Sequence, residues 1–231
     1  MLASSSRGNC YALTCGYNVL LLEAGIPVAR LRKLLPMGLS RVVACLVTHE
    51  HMDHAGYVRQ YLDAGIKVHM SLGTFKTLGM GFALPHEKGP WDKRVFVGGW
   101  HVHLFKTKHD AADPVGFWIE APDRMRVIFA TDTYLLPYKF KGVNVWMLEC
   151  NYDIELLKQN IDLGLVDDKM AQRILQSHMS VSHVCEFLRH QDLDRTQAIY
   201  LLHGSERNID KLKAVWTVRA ATGKPVYMEG V

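Results

Sequence analysis

No two cysteines stand at the C-x-x-C spacing, and the five present (Cys10, Cys15, Cys45, Cys150 and Cys185) are an odd number. A disulfide framework is therefore not expected; reduced thiols in a cytoplasmic protein are. Long apolar runs are missing too. The longest, Val42 to Val47, has six residues, far below the ~18 that a membrane helix needs. Ser4, Ser5, Ser6 and Arg7 interrupt any basic-then-apolar leader, so neither secretion nor membrane insertion is expected. Nor is there an excess of one charge sign. The 27 Lys and Arg against 23 Asp and Glu leave +4, which permits a polyanionic partner without requiring one. The chain has no G-x-S-x-G elbow, no G-x-G-x-x-G and no Walker loop. These absences take serine-hydrolase and nucleotide-cofactor chemistry off the leading options and leave water as the expected nucleophile.

What is present reads as one globular domain over residues 1–231. Hydrophobic residues make up 48% of the chain, enough for one substantial core. No internal repeat, low-complexity segment or Gly/Pro-rich linker divides it. Short β-branched runs bounded by Gly, Asp or Pro predict strands at 17–23, 42–47, 66–70, 94–97, 115–120, 125–130, 143–148, 198–202 and 226–228. The alternation at 101–105 predicts another. Helical patterns fall at 27–35, 55–64, 153–163, 168–175, 182–189 and 209–221. Strands interspersed with helices point to a layered α/β or α+β sandwich.

Histidine is abundant, at twelve residues, and several are clustered. Thr48-His-Glu-His-Met-Asp-His54 follows directly on the 42–47 strand. His49, His51, Asp53 and His54 put four metal-competent side chains into six residues, and burying them together without a cation would leave unsatisfied or repelling groups. Imidazole nitrogen and carboxylate oxygen suit zinc, manganese or iron. Beyond three further predicted strands stand His109, Asp132 and His203. Taken singly each is as readily a turn residue; as a set they complete a coordination sphere at one sheet edge.

H-x-H-x-D-H followed by separated His, Asp and His resembles the metallo-β-lactamase-fold hydrolase superfamily, in order and spacing over nearly the whole chain. Within it, Ser5-Ser-Arg-Gly-Asn9, His109-Asp110, Pro114-Val-Gly-Phe117, Thr131-Asp-Thr133, Glu149-Cys-Asn151 and His178-Met-Ser180 are similar to the YycJ/WalJ-type subgroup. The resemblance implies a four-layer αββα sandwich with a dinuclear site between two sheets. It assigns His49, His51 and His109 to one divalent metal (Zn²⁺ or Mn²⁺, with Fe an option) and Asp53, His54 and His203 to a second. Asp132 bridges, and the two ions share a hydroxide that attacks a phosphodiester. Asp53, Asp132 and His178 are the residues expected in catalysis. Three positions depart from the pattern: Glu23 stands where the family has aspartate, Ser177 where a glycine precedes His178, and Asn208 where the subgroup has an asparagine pair.

The remaining roles stay open at this level. His178 reads as a ligand to the scissile phosphate or a proton donor to the leaving oxygen, or equally as a helix-capping or core histidine. Asp110 orients His109 or the attacking water, or is an exposed turn residue. Ser5, Ser6 and Asn9 offer donors to a phosphate or simply form a turn into a strand, and Asn151 is similar. Lys106, Lys108 and Arg207 meet a nucleic-acid backbone or form a solvated rim. His69, His86, His101, His103, His183 and His190 fit no ligand spacing. The resemblance implies a nuclease, an exonuclease on single-stranded DNA or RNA. The stretch from Asp132 to His203 is too short for the inserted domain of the RNA-processing branch. The alternatives are a cyclic-phosphate diesterase, a glyoxalase-II-like thioesterase, or a non-catalytic metal-containing binding module.

Overall fold

The computed structural model describes residues 1–35, 38–84 and 95–231. They form two compact units, the first of residues 1–106 and 111–125, the second of 107–110 and 126–231. His86, together with Arg94 of one predicted strand, lies outside the described residues.

The first unit begins with an antiparallel hairpin, β1 (Tyr11–Cys15) and β2 (Asn18–Leu22), closed by the two-residue turn Gly16-Tyr17. Next come β3 (Val42–Leu46), β4 (Val68–Met70) and β5 (Phe82–Ala83), each parallel to the strand before it, giving a five-stranded sheet in sequence order. Parallel neighbours need crossover segments. α1 (Val28–Leu34), α3 (Val58–Asp63) and α4 (Leu72–Leu78) lie in them. Leu21, Cys45, Val47 and Val68 from the strands bury against Ile26, Leu31, Val58 and Tyr61. A second set of strands, β6 (Val95–Val97), β7 (Trp100–Lys106) and β8 (Val115–Glu120), pairs antiparallel. The β6–β7 turn needs its glycines. Gly98 and Gly99 both have positive φ, and a Cβ on Gly98 would lie 2.5 Å from the Val43 Cβ, so the turn presses on β3 with no room for a side chain.

The second unit carries four parallel strands in sequence order, β9 (Arg126–Ala130), β10 (Val145–Glu149), β11 (Ala198–Leu202) and β12 (Val226–Met228). Between β10 and β11 stand α5 (Ile154–Asp162), α6 (Asp168–Ser177) and α7 (Val181–Arg189), and α8 (Lys211–Thr222) links β11 to β12. Side-chain acceptors start all four helices: Asp153, Asp167, Ser180 and Asp210 each take a backbone N–H of the first turn, which sets where the helices begin. No helix among the described residues is long and apolar enough to cross a membrane.

Two expectations change. The helix predicted at 55–64 is instead a single turn, α2 (Met52–Ala55), followed by α3. The break has a physical cause. The carbonyl of Asp53 accepts from Asn9 N (2.7 Å) and that of His54 from Ala24 N (2.7 Å), while Tyr57 N donates to Ala24 O. Those groups are committed outside the helix ladder, so the ladder stops. α4, which periodicity does not suggest because Thr74, Phe75 and Thr77 interrupt it, is delimited by its ends: Ser71 caps it and Gly79 closes it in the left-handed conformation.

Asp167 caps the helix that leads into His178. Asp167→Ala is expected to cost about 1 kcal/mol of unfolding free energy, seen as a lower urea midpoint at unchanged slope, and Asp167→Asn to recover most of it.

Candidate metal centre

In the first unit the donors sit on the turn leaving β3. The chain can pass there because Gly25 has no side chain: a Cβ at Gly25 would lie 1.8 Å from the Asp53 carbonyl oxygen. Beneath the turn Glu23 is fully buried, at φ 66°, a left-handed conformation that a non-glycine residue holds only when its surroundings enforce it. Those surroundings are hydrogen bonds. Thr48 Oγ1 donates to Glu23 Oε1 (2.7 Å) and Thr48 N to Oε2 (3.3 Å). With its proton given to Glu23, Thr48 Oγ1 accepts from His49 Nδ1 (2.9 Å), which selects the His49 tautomer with its lone pair on Nε2. Glu23 Oε1 also faces His54 Nδ1 at 3.5 Å. Burial pushes the Glu23 carboxyl above its ordinary pKa, with His54 and Thr48 opposing.

Asn9 is wholly buried behind the same turn. Its amide donates to Asp53 Oδ2 (3.2 Å) and lies 3.2 Å from His54 Nε2, while its Oδ1 accepts from Tyr11 OH and Ser5 N. Ser5, half-buried, accepts from Arg7 N at its own hydroxyl (3.2 Å). His49 and His51 bring ligating atoms within 4.8 Å of each other, as do Asp53 and His54.

In the second unit the donors stand just past the strands. Asp132 follows β9 and His203 follows β11, and both hold positive φ, 47° and 54°. The geometry turns each side chain back over its strand end. Thr131 Oγ1 donates to Asp132 Oδ1 (2.9 Å), and His203 Nδ1 lies 3.3 Å from that same oxygen. Asn151 donates its amide to the His203 carbonyl (2.9 Å). His109 Nδ1 donates to the Ser177 carbonyl (3.2 Å), so its lone pair is on Nε2, which lies 3.6 Å from Asp132 Oδ2 and 3.2 Å from Asp110 Oδ1. Lys108 N to Thr133 Oγ1 and Tyr134 N to Lys108 O tie the His109 segment to the residues that follow Asp132. Burial pushes the His109 ring below its ordinary pKa, against the pull of Asp132.

Glu149, at the end of β10, is a functional residue to which pattern reading gives no role. It is fully buried, and its Oε2 accepts from Thr133 N (2.9 Å) and Met179 N (3.1 Å). Its Oε1 pairs with His178 Nδ1. Burial alone would push His178 down, but the Glu149 charge and hydrogen bond outweigh it and hold the ring's pKa above the usual histidine value. Asp132, Glu149, His178 and His203 place one potential ligand atom each within 4.8 Å of one another. The signal that could have found Glu149 is its position: an acidic residue ending an apolar strand, as Asp132 and His203 follow theirs.

Asp110 is exposed and bridges His109 to Arg173 Nε (2.9 Å). Its slight burial would raise its pKa, but His109 and Arg173 hold it below the ordinary carboxylate range. Lys106 pairs with Asp113, and Arg207 is exposed past His203. Of the histidines outside the motif, His69 packs on Phe82, His101 on Phe96, His103 on Trp118 and His183 on Tyr134, and His190 Nδ1 donates to the Glu186 carbonyl.

These residues fit a divalent metal. Neutral imidazoles fixed with Nε2 lone pairs, beside a buried carboxylate, are what zinc or manganese takes as ligands. The Beta-lactamase superfamily domain model matches residues 18–204. The chain is 30% identical to the exodeoxyribonuclease YycJ of Bacillus anthracis over 233 residues, covering 90% of this chain and 82% of that protein. It is 29% identical to the exodeoxyribonuclease WalJ of Streptococcus pneumoniae over 227 residues, covering 90% and 81%. Among solved structures, the metallo-β-lactamase fold protein YhfI of Bacillus subtilis superposes with a TM-score of 0.66 at 14% identity, covering 98% of this chain and 90% of that one.

Glu23→Ala removes the carboxylate that fixes the Thr48 hydroxyl behind His49 and that faces His54 Nδ1. Metal affinity, read by competition against a chromogenic chelator, is expected to fall roughly 10- to 100-fold; Thr48→Val is expected to fall less, because His54 keeps its partner.

Proposed function

Because the chain belongs to the beta-lactamase superfamily, as a metallo-β-lactamase-fold hydrolase with layered α+β architecture, we propose that it is an exonuclease that hydrolyses phosphodiester bonds of single-stranded DNA. The observation that carries this reading is the extent of its likeness to the two exodeoxyribonucleases, which runs through nine-tenths of the chain. In this reading His49, His51 and His109 would hold one ion and Asp53, His54 and His203 the other, with Asp132 available to both. Two bound divalent ions, zinc or manganese, supply activated water at neutral pH and polarise the phosphoryl oxygens.

The chain's own residues then divide the work. Thr48, Glu23 and the Ser177 carbonyl orient the ligand rings. Asn9 holds Asp53 and His54 in register from behind, through the bonds of its buried amide. Glu149 favours the protonated form of His178, whose ring is placed to donate to a phosphate oxygen or give a proton to the departing 3′ or 5′ oxygen. Asn151 supports His203 from its carbonyl side. Arg173, paired with Asp110, and Arg207 offer positive charge to flanking phosphates. The five free cysteines, four of them buried, suit a reducing compartment, and we assign the protein to the cytoplasm.

The test compares metal-reconstituted wild type, Asp132→Ala and His178→Ala on a 5′-labelled single-stranded oligonucleotide and on bis(p-nitrophenyl) phosphate. Wild type is expected to cleave both. Asp132→Ala is expected to lose bound metal and all turnover. His178→Ala is expected to keep its metal and lose roughly 100-fold or more in kcat on the oligonucleotide. Cleavage of the small diester alone would replace the nuclease with a metabolite diesterase. Metal-loaded protein inert on both would favour a thioesterase or a binding module.

A further inference from the structure

The second unit contains a cavity of about 330 Å³ between the segment after β9 and helix α7. Its walls grow out of the donor residues. Tyr134 stands two positions past Asp132, and Met179 stands one past His178. From the two sides Tyr134, Tyr138, Phe187 and His183 line the space, with Lys139 at its border.

The pocket is built rather than incidental. Gln191 clamps its wall segment to the end of α7: its Nε2 donates to the Tyr138 carbonyl (3.0 Å) and its Oε1 accepts from Phe140 N (2.9 Å). Below, Phe140, Phe187 and Trp146 pack edge to face with ring centroids 5.8 to 6.4 Å apart, and the Trp146 indole donates to Thr196. That floor is rigid. The upper wall is open: Tyr134 is 39% exposed although its backbone is held by Lys108, and its ring meets His183 edge-on at 5.7 Å. His183 Nδ1 is buried and has no hydrogen-bond partner among the described residues, an arrangement that costs stability unless a ligand satisfies it.

An exposed tyrosine ring flanked by half-buried aromatics, an unsatisfied ring nitrogen and a lysine beside the cavity match a flat heteroaromatic ring attached to an anionic chain. The volume is at the small end of the ~300–1,000 Å³ of small-ligand clefts, room for one nucleoside. We propose that this cavity is a base-binding subsite: a nucleobase next to the scissile phosphate stacks on Tyr134, takes a hydrogen bond at His183, and has its neighbouring phosphate met by Lys139. The subsite rests on the nuclease reading above and deepens it. Such a subsite holds a strand without sequence preference, because every base offers a π-face. It also favours single strands, since a base must leave a duplex to enter the pocket.

The test is a cycle on the metal-loaded protein with single-stranded oligonucleotides, intact or carrying one abasic site scanned through the terminal nucleotides. Tyr134→Ala is expected to lower kcat/KM on the intact strand roughly 5- to 100-fold, the range for loss of one base–aromatic stack, and Tyr134→Phe to retain most of it. At one position the abasic site should cost the wild type a similar factor and cost Tyr134→Ala little, so that the two losses do not add. A 2-aminopurine at that position should be quenched on binding to wild type and not to Tyr134→Ala, with His183→Ala intermediate. A flat abasic scan, or losses that simply multiply, would overturn the subsite while leaving the nuclease intact. A wild type that hydrolyses bis(p-nitrophenyl) phosphate but neither binds nor cleaves the strand would overturn the nuclease reading, and the subsite with it.

Discussion

The buried carboxylate of Glu23 is the interaction on which the first unit's donor turn depends. A fully buried acid is costly unless its oxygens are satisfied, and here Thr48 and His54 satisfy them. In return the carboxylate fixes the Thr48 hydroxyl, which fixes the His49 tautomer. The extra methylene relative to aspartate does not break this chain, because the left-handed backbone at Glu23 turns the side chain under the Thr48–His54 turn. Strain of about 1–3 kcal/mol at such a position persists only where neighbours over-determine it. Asn9 and Ala24 do so through the backbone bonds that pin Asp53 and His54, and Gly25 N in turn donates to the Asn9 carbonyl.

The second unit repeats the device with a different glutamate. Glu149 is the last residue of a parallel strand where Glu23 follows one; it is also fully buried, and it spends one oxygen on backbone N–H groups and the other on a histidine, where Glu23 takes the Thr48 N–H on one and the Thr48 hydroxyl on the other. Asp132 and His203 add the same left-handed exit from a strand that Glu23 shows. The C-terminal ends of parallel strands suit the presentation of donors. The ladder holds the strand rigid to its last residue, and the next side chain can then be aimed without moving the scaffold. The backbone itself therefore aims these donors.

Much of this is legible in the sequence. The strands at 115–120, 198–202 and 226–228 fall where the β-branched runs place them, because a buried parallel or sheet-centre strand has little freedom in composition. His49, His51, Asp53 and His54 stand out because four metal-competent groups in six residues have few other uses. The periodicity at 55–64 finds α3 but misplaces the start of the helix, since the bonds that divide it come from Asn9 and Ala24, some forty-five and thirty residues away in the chain. Asn9 reads as readily as a surface turn residue for the same reason: nothing local says that its amide lies behind Asp53.

By itself, then, the sequence determined the superfamily and its hydrolase class and named candidate donors, because donor identity is a property of side chains and strand-end spacing is a local pattern. Tertiary structure alone decided which groups hold those donors. The pairing of Glu149 with His178, the Glu23 carboxylate beneath Thr48, the Ser177 carbonyl behind His109, and the aromatic cavity that follows Asp132 each join residues distant in the chain. Hydrogen bonds and ring contacts act over a few ångströms, and only folding brings such residues within that range.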